Sequence, residues 1–147
     1  MSCFLILGAG GHSKVVAETV LASAVASSVA FLDDRCTGLD VCFSVLGWPV
    51  IGPLALALQA DTSSQFDAAV VAIGHAPTRL HWIQLLQDAG YHLPVLVHPT
   101  AWVSPSAQLG PASVVFAQVA VQAQVSIGTG AILNTGCSVD HDAQLSD

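Results

Sequence analysis

Apolar residues follow two different rhythms along this chain, and the rhythm changes near residue 95. In the first part, short apolar runs alternate with longer amphipathic stretches. Residues 3–7, CFLIL, run into glycine and read as a buried parallel strand. A helical pattern follows from Gly11 to Ala24, with Val15, Val16, Val20 and Leu21 on one side. VAFLDD at 29–34 predicts a second strand ending in two acids. WPVIG at 48–52 predicts a third strand, and Pro53 opens a predicted helix through Gln59. AAVVAIG at 68–74 reads as a buried strand, 77–89 as a helix stopped by Gly90, and LPVLV at 93–97 as the last strand of this part. Strands alternating with helices predict an α/β, Rossmann-like domain with a parallel sheet over residues 1–95.

From residue 97 an aliphatic residue recurs at every sixth position: Val97, Val103, Leu109, Val115, Val121, Ile127, Leu133, Val139 and Leu145. Four positions later in each hexad come Ala101, Ala107, Ser113, Val119, Val125, Ala131, Cys137 and Ala143, all small or compact. Period six suits neither an α-helix nor an alternating strand. It predicts a coil of triangular cross-section with one hexad per side, the aliphatic residue inward and the small one beside it near the corner. Three hexads make a turn, and turns stack at a strand spacing of about 4.8 Å. Residues 96–147 are therefore predicted to form a left-handed parallel β-helix of about three coils. Solenoids normally close with a cap. None is legible up to QLSD, so the β-helix is expected to be incomplete, truncated at its C-terminal end.

Composition narrows the function. Apolar residues make up 53% and charged residues 9%, so a core is easily built and a charged surface is not. Part of the surface is expected to be covered in an oligomer. Net charge is -7, and the fixed cations are Lys14, Arg35 and Arg79, which argues against nucleic acid as a partner. An anion would have to be held by backbone N–H groups and a few side chains. No apolar stretch reaches about 18 residues, so no membrane span is expected. No signal-peptide pattern is present. Cys3, Cys36, Cys42 and Cys137 lack metal-site spacing and read as reduced, structural thiols of a cytoplasmic protein without a metal.

Three places carry candidate chemistry. In GAGGHSK, Gly8, Gly10 and Gly11 let the backbone approach a phosphate at a helix N-terminus. Ser13 stands where G-x-G-x-x-G has its third glycine, and His12 is placed to donate to the same phosphate. Asp33 and Asp34 end the second strand, where an acid takes a ribose or base hydrogen bond or else caps a helix. Gly74 and Arg79 lie at the same carboxyl edge, Gly74 to close against a ligand and Arg79 as a ligand cation or an ordinary helix-face arginine. In NTGCSVDHDAQ, Val139 is the inward residue, so His141 and Asp142 project outward. A flanking carboxylate, Asp142 or Asp140, could hold one ring nitrogen and leave the other as a base. The alternative is a plain exposed histidine.

GAGGHSKVV, FLDD, VVAIG with a following arginine, VHPTAWVSPSA and ILNTGCSVDHDA occur in that order. Together they resemble the NeuD/PglD-type bacterial sugar acyltransferases over residues 3–145. The resemblance implies a nucleotide-sugar-binding α/β domain followed by a left-handed β-helix. It implies acetyl-CoA as donor, a UDP-sugar or sialic-acid-type sugar as acceptor, and a homotrimer with active sites between subunits. The family's catalytic histidine falls on His141, its acidic neighbour on Asp142, and the preceding asparagine on Asn134. Its nucleotide-binding turn falls on Gly10, Gly11 and His12, with Asp33 and Asp34 nearby. The implied reaction is attack of a sugar amine or hydroxyl on the thioester, with His141 as general base. The rival reading is a nucleotide-sugar-binding module without turnover, because further coils cradle the coenzyme in the family. An NAD-binding dehydrogenase domain leaves the hexads unexplained.

Overall fold

The computed structural model describes residues 2–38 and 40–147. Its first part is a five-stranded sheet of β1 (Cys3–Leu7), β2 (Ser28–Leu32), β3 (Phe43–Val45), β4 (Trp48–Val50) and β5 (Ala68–Val71). The strand order is β3-β4-β2-β1-β5. β1 pairs in parallel with β2 and β5, and β2 with β4, whereas β3 runs antiparallel to β4. This is a Rossmann-like mixed sheet. α1 (Gly11–Ala22), α2 (Ala60–Ser63) and α3 (Ala76–Asp88) complete this part. Alternate residues of β1 serve opposite faces. Phe4 and Ile6 pack with Val16, Ala17 and Val20 of α1, while Leu5 and Leu7 pack with Ile83 and Leu86 of α3. Both faces are covered, which is why CFLIL is apolar throughout.

Four local expectations change. β3 has no counterpart in the sequence pattern: it forms a hairpin whose two loop residues, Leu46 and Gly47, both have positive φ (51° and 81°). That is the backbone of a two-residue hairpin turn, but leucine replaces the usual asparagine and hides it. The segment after Pro53 forms a 3-10 turn, Leu54–Leu58, followed by α2, instead of one helix. LALAL alternates, so it buries only Ala57 and offers no helical stripe. LPVLV adds no strand to this sheet. Pro94 has no N–H for a ladder, and only Leu96–Val97 is extended, as β6 of the second part. Finally, Cys36 and Cys42 form a disulfide, correcting the expectation of four thiols. The fold-back from β2 to β3 brings their Cα atoms to 5.6 Å, within bonding range.

The second part consists of nine two-residue strands, each ending on an aliphatic register residue: β6 (Leu96–Val97), β7 (Trp102–Val103), β8 (Gln108–Leu109), β9 (Val114–Val115), β10 (Ala120–Val121), β11 (Ser126–Ile127), β12 (Ile132–Leu133), β13 (Ser138–Val139) and β14 (Gln144–Leu145). They form three parallel three-stranded sheets, β6-β9-β12, β7-β10-β13 and β8-β11-β14. Register residues stack, as in Val103, Val121 and Val139. Val115, Val121, Ile127 and Leu133 form the core with Val119 and Val125. Six corner residues have φ near +60 to +74°: Ala112, Gln118, Gln124, Gly130, Gly136 and Asp142. They recur every sixth position, so the left-handed residue turns each corner. Earlier corners use hydroxyls as well: Thr100 and Ser106 accept from the N–H groups of Gln118 and Gln124, 18 residues on.

One sheet meets the α/β part. The residues just before register on β6, β9 and β12 are Leu96, Val114 and Ile132, and all three pack in the core with Val16 and Val20 of α1. The equivalent residues of β8 and β11, Gln108 and Ser126, are exposed. The apolar triplet therefore selects which side is covered.

Candidate functional site

Gly8 leaves β1 with φ +102° and donates its N–H to Leu32 O at 2.8 Å. A Cβ there would lie 2.7 Å from the carbonyl oxygen of Ala72, at the end of β5. Only glycine lets the backbone pass so close between its two neighbour strands. Gly10 caps α1 and Gly11 begins it; a Cβ on either would meet nothing within 4 Å. The helix N-terminus thus opens onto free space at the carboxyl edge of the sheet, where the strand order reverses between β2 and β5. That combination suits an anion. Ser13 is fully buried and donates Oγ to Gly10 O at 2.6 Å. It fills the third-glycine position as a small residue under the turn.

Asp33 does not project freely toward a ligand. Its Oδ2 accepts from Ala9 N at 2.9 Å, and its Oδ1 accepts from Arg35 N at 3.0 Å and Arg35 Nε at 2.8 Å. The Arg35 side-chain hydrogen bond holds the Asp33 carboxyl below the usual carboxylate range. Arg35 Nη2 also donates to Ala9 O at 2.8 Å. Asp33 and Arg35 together pin the glycine turn to the end of β2. Asp34 Oδ1 accepts from Leu54 N at 2.9 Å and caps the 3-10 turn. The capping alternative is therefore the one Asp34 adopts.

Arg79 is likewise a tie. Its Nε donates to Gly130 O at 2.8 Å, and its Nη1 to Ile73 O at 3.0 Å and Gly74 O at 2.9 Å. One guanidinium fastens α3 and the end of β5 to a corner of the repeat. His12 lies half-buried in the same seam, its ring edge-on to Phe116 with centroids 5.6 Å apart. Burial, assisted by the Arg79 charge, lowers its pKa, so the ring is neutral near pH 7. Its Nε2 is buried without a hydrogen-bond partner among the described residues.

His141 and Asp142 occupy an exposed corner, and His141 Nδ1 lies 2.8 Å from Asp142 Oδ2. Asp142 takes the left-handed corner conformation, with φ 61°, and its N–H donates to Ala123 O at 3.0 Å. The corner thus fixes the carboxylate that holds Nδ1 and leaves Nε2 outward. The hydrogen bond that His141 donates to the Asp142 carboxylate, then the Asp142 charge, raises the His141 pKa. Asn134 is exposed and lies one coil above Phe116, whose N–H donates to Leu133 O at 3.0 Å.

A family model described as the PglD N-terminal domain matches residues 3–86. The acetyltransferase domain of PglB from Neisseria gonorrhoeae FA1090, solved with acetyl coenzyme A, is 43% identical with a TM-score of 0.88. The match covers 98% of this chain and 67% of that one. The chain belongs to the NeuD/PglD-type family of sugar acyltransferases. Membership places it among the acyltransferases. A mutant perosamine N-acetyltransferase from Caulobacter crescentus, solved with CoA and GDP-perosamine, is 37% identical with a TM-score of 0.88, covering 99% of this chain and 66% of that one. WeeI from Acinetobacter baumannii AYE, at 19% identity and a TM-score of 0.79, shares the fold. The chain spans about two thirds of the length of these relatives. No curated protein is significantly similar to it.

In this family member the residues marked from sequence fall into two groups. Gly8, Gly10, Gly11, His12, Asp33, Asp34, Gly74 and Arg79 gather at the sheet edge and its seam with the repeat. His141 and Asp142 sit together at a separate corner. Asn134 shares neither a corner nor a hydrogen bond with His141 among the described residues. Sequence reasoning missed Phe116, Gly130 and the part played by Arg35. Arg35 was the findable one, a rare cation directly after two acids.

Proposed function

We propose that this protein transfers acetyl from acetyl-CoA to an amine or hydroxyl of a nucleotide-linked sugar, with His141 as general base and Asp142 orienting its ring. The observation that carries this is the His141–Asp142 pair at 2.8 Å on an exposed corner, in a member of this family. In this reading residues 1–95 bind the nucleotide sugar, with its phosphates at the α1 N-terminus near Gly10, Gly11 and His12. Residues 96–147 form a left-handed β-helix, whose three-sided geometry the 18-residue stacking supports. The relatives were solved with acetyl coenzyme A in one case and with CoA and GDP-perosamine in another, which supports a coenzyme-A donor and a nucleotide-sugar acceptor.

His141 and Asn134 lie at different corners of one protomer. A site holding both therefore draws them from two copies, which favours a homotrimer with its sites between subunits. His141 Nε2 would take the proton from the attacking amine or hydroxyl, while Nδ1 keeps its hydrogen bond to Asp142. Backbone N–H groups near the thioester would stabilise the oxyanion.

The test is CoA release from acetyl-CoA with 4-amino-sugar nucleotides as acceptors, read with a thiol reagent. His141→Ala is expected to lower kcat by about 10²–10⁴-fold. Near-full turnover in that variant would overturn the assignment.

A further inference from the structure

Both acids at the end of β2 accept hydrogen bonds from within the protein, and Asp34 stays exposed. Asp33 accepts from Ala9 N and from Arg35, and Asp34 accepts from Leu54 N. In nucleotide-binding α/β folds this strand end faces the ribose and base when the phosphates lie at the first helix N-terminus. Here the cation it presents outward, beside the exposed Asp34, is the Arg35 guanidinium. The Arg35 side chain is 62% exposed, while that of Asp33 is 16% exposed. The guanidinium lies 5.1 Å from the centroid of the Phe43 ring, which fixes its plane from one side. Nε and Nη2 are occupied by Asp33 and Ala9 O, and Nη1 has no hydrogen-bond partner among the described residues.

We infer that Arg35 is a base-specificity residue, donating from Nη1 to a ring carbonyl so that uracil or guanine nucleotides are preferred over cytosine or adenine ones. This rests on the nucleotide-sugar reading above. The chemistry is one of sign. An arginine has donors and no acceptor. Uracil and guanine offer carbonyl oxygen where cytosine and adenine offer an exocyclic amino donor. A guanidinium held by Asp33 cannot turn away to relieve a donor–donor clash. Asp33 and Phe43 are positioning residues in this arrangement.

The test is calorimetric titration of the protein with UDP against CDP, and with GDP against ADP. Each pair differs at the carbonyl or amino position. The parent is expected to bind the keto member about tenfold or more tightly. Arg35→Ala is expected to reduce that ratio to within about twofold, and Arg35→Lys to keep part of it. Arg35 also steadies the glycine turn, so a purely structural role would weaken all four nucleotides alike and leave both ratios intact. Intact ratios in a folded Arg35→Ala protein, checked by its melting curve, would overturn the inference and spare the nucleotide-site reading. Absence of binding by all four nucleotides to the folded parent would overturn that reading itself.

Discussion

Replacing Arg79 with methionine separates a ligand residue from a structural tie. Methionine keeps an aliphatic stem in the seam and removes the three donors. The acceptors differ in what they lose. Gly74 is exposed, so water replaces the guanidinium there at little cost. Gly130 is buried and Ile73 half-buried, so their carbonyls are left poorly solvated. Hydrogen bonds with a charged partner contribute about 1.5–3 kcal/mol each. Counting the buried Gly130 in full and the half-buried Ile73 at about half gives about 2–4.5 kcal/mol. For a protein of 147 residues this lowers the melting temperature by roughly 5–15 °C. Arg79→Lys, with one ammonium for three carbonyls, falls between. The assay is thermal unfolding followed by circular dichroism without ligand, beside a UDP or GDP titration. A melting temperature within about 1 °C of the parent, combined with lost nucleotide affinity, would make Arg79 a ligand residue and refute the tie.

Two further outcomes are expected. Gly8→Ala places a Cβ 2.7 Å from the Ala72 oxygen at φ +102°, so urea unfolding should show a loss of about 2–4 kcal/mol; an unmoved midpoint would contradict the close approach. Asp142→Asn should move the acid limb of the kcat–pH profile downward. The Asp142 carboxylate raises the His141 pKa, the base must be neutral, and the parent rate therefore falls as pH drops through a value above the ordinary histidine one near 6.5. A limb that stays in place would show that the carboxylate does not tune this ring.

The repeat was legible because one residue per hexad must point inward, and a position with no alternative tolerates little variation. Val97 through Leu145 carry that constraint unaided, and the matching corner residues share their conformation although Gln118, Gln124 and Asp142 are not glycine. The backbone of each corner is imposed by the stacked coil below it, so the side chain need not signal it. The covered side was also legible at a longer period, in Leu96, Val114 and Ile132, but a six-residue comparison does not separate them from Trp102 and Ala120. The hairpin at Leu46–Gly47 failed for the opposite reason: a local turn signal was absent because pairing of β3 with β4 sets the backbone there.

The site was legible in position and less so in role. Sequence placed the acids of β2 and Arg79 at the right edge of the sheet, then left each open between a ligand role and a plain one, a cap for the acids and a helix-face cation for Arg79. With only three lysines and arginines, few charges remain to close the seams between parts. Arg79 therefore ties Gly130 to Ile73 and Gly74, and Asp33 ties Ala9 to Arg35. Each tie uses backbone carbonyl or N–H groups from another segment, which no residue pattern records. The placement of the glycines and of His141 could be read from the chain because it depends on backbone space and on register, and both quantities are encoded locally. Scarcity of charge thus explains why the partners of Asp33 and Arg79 needed the fold, whereas the positions of the glycines and His141 did not.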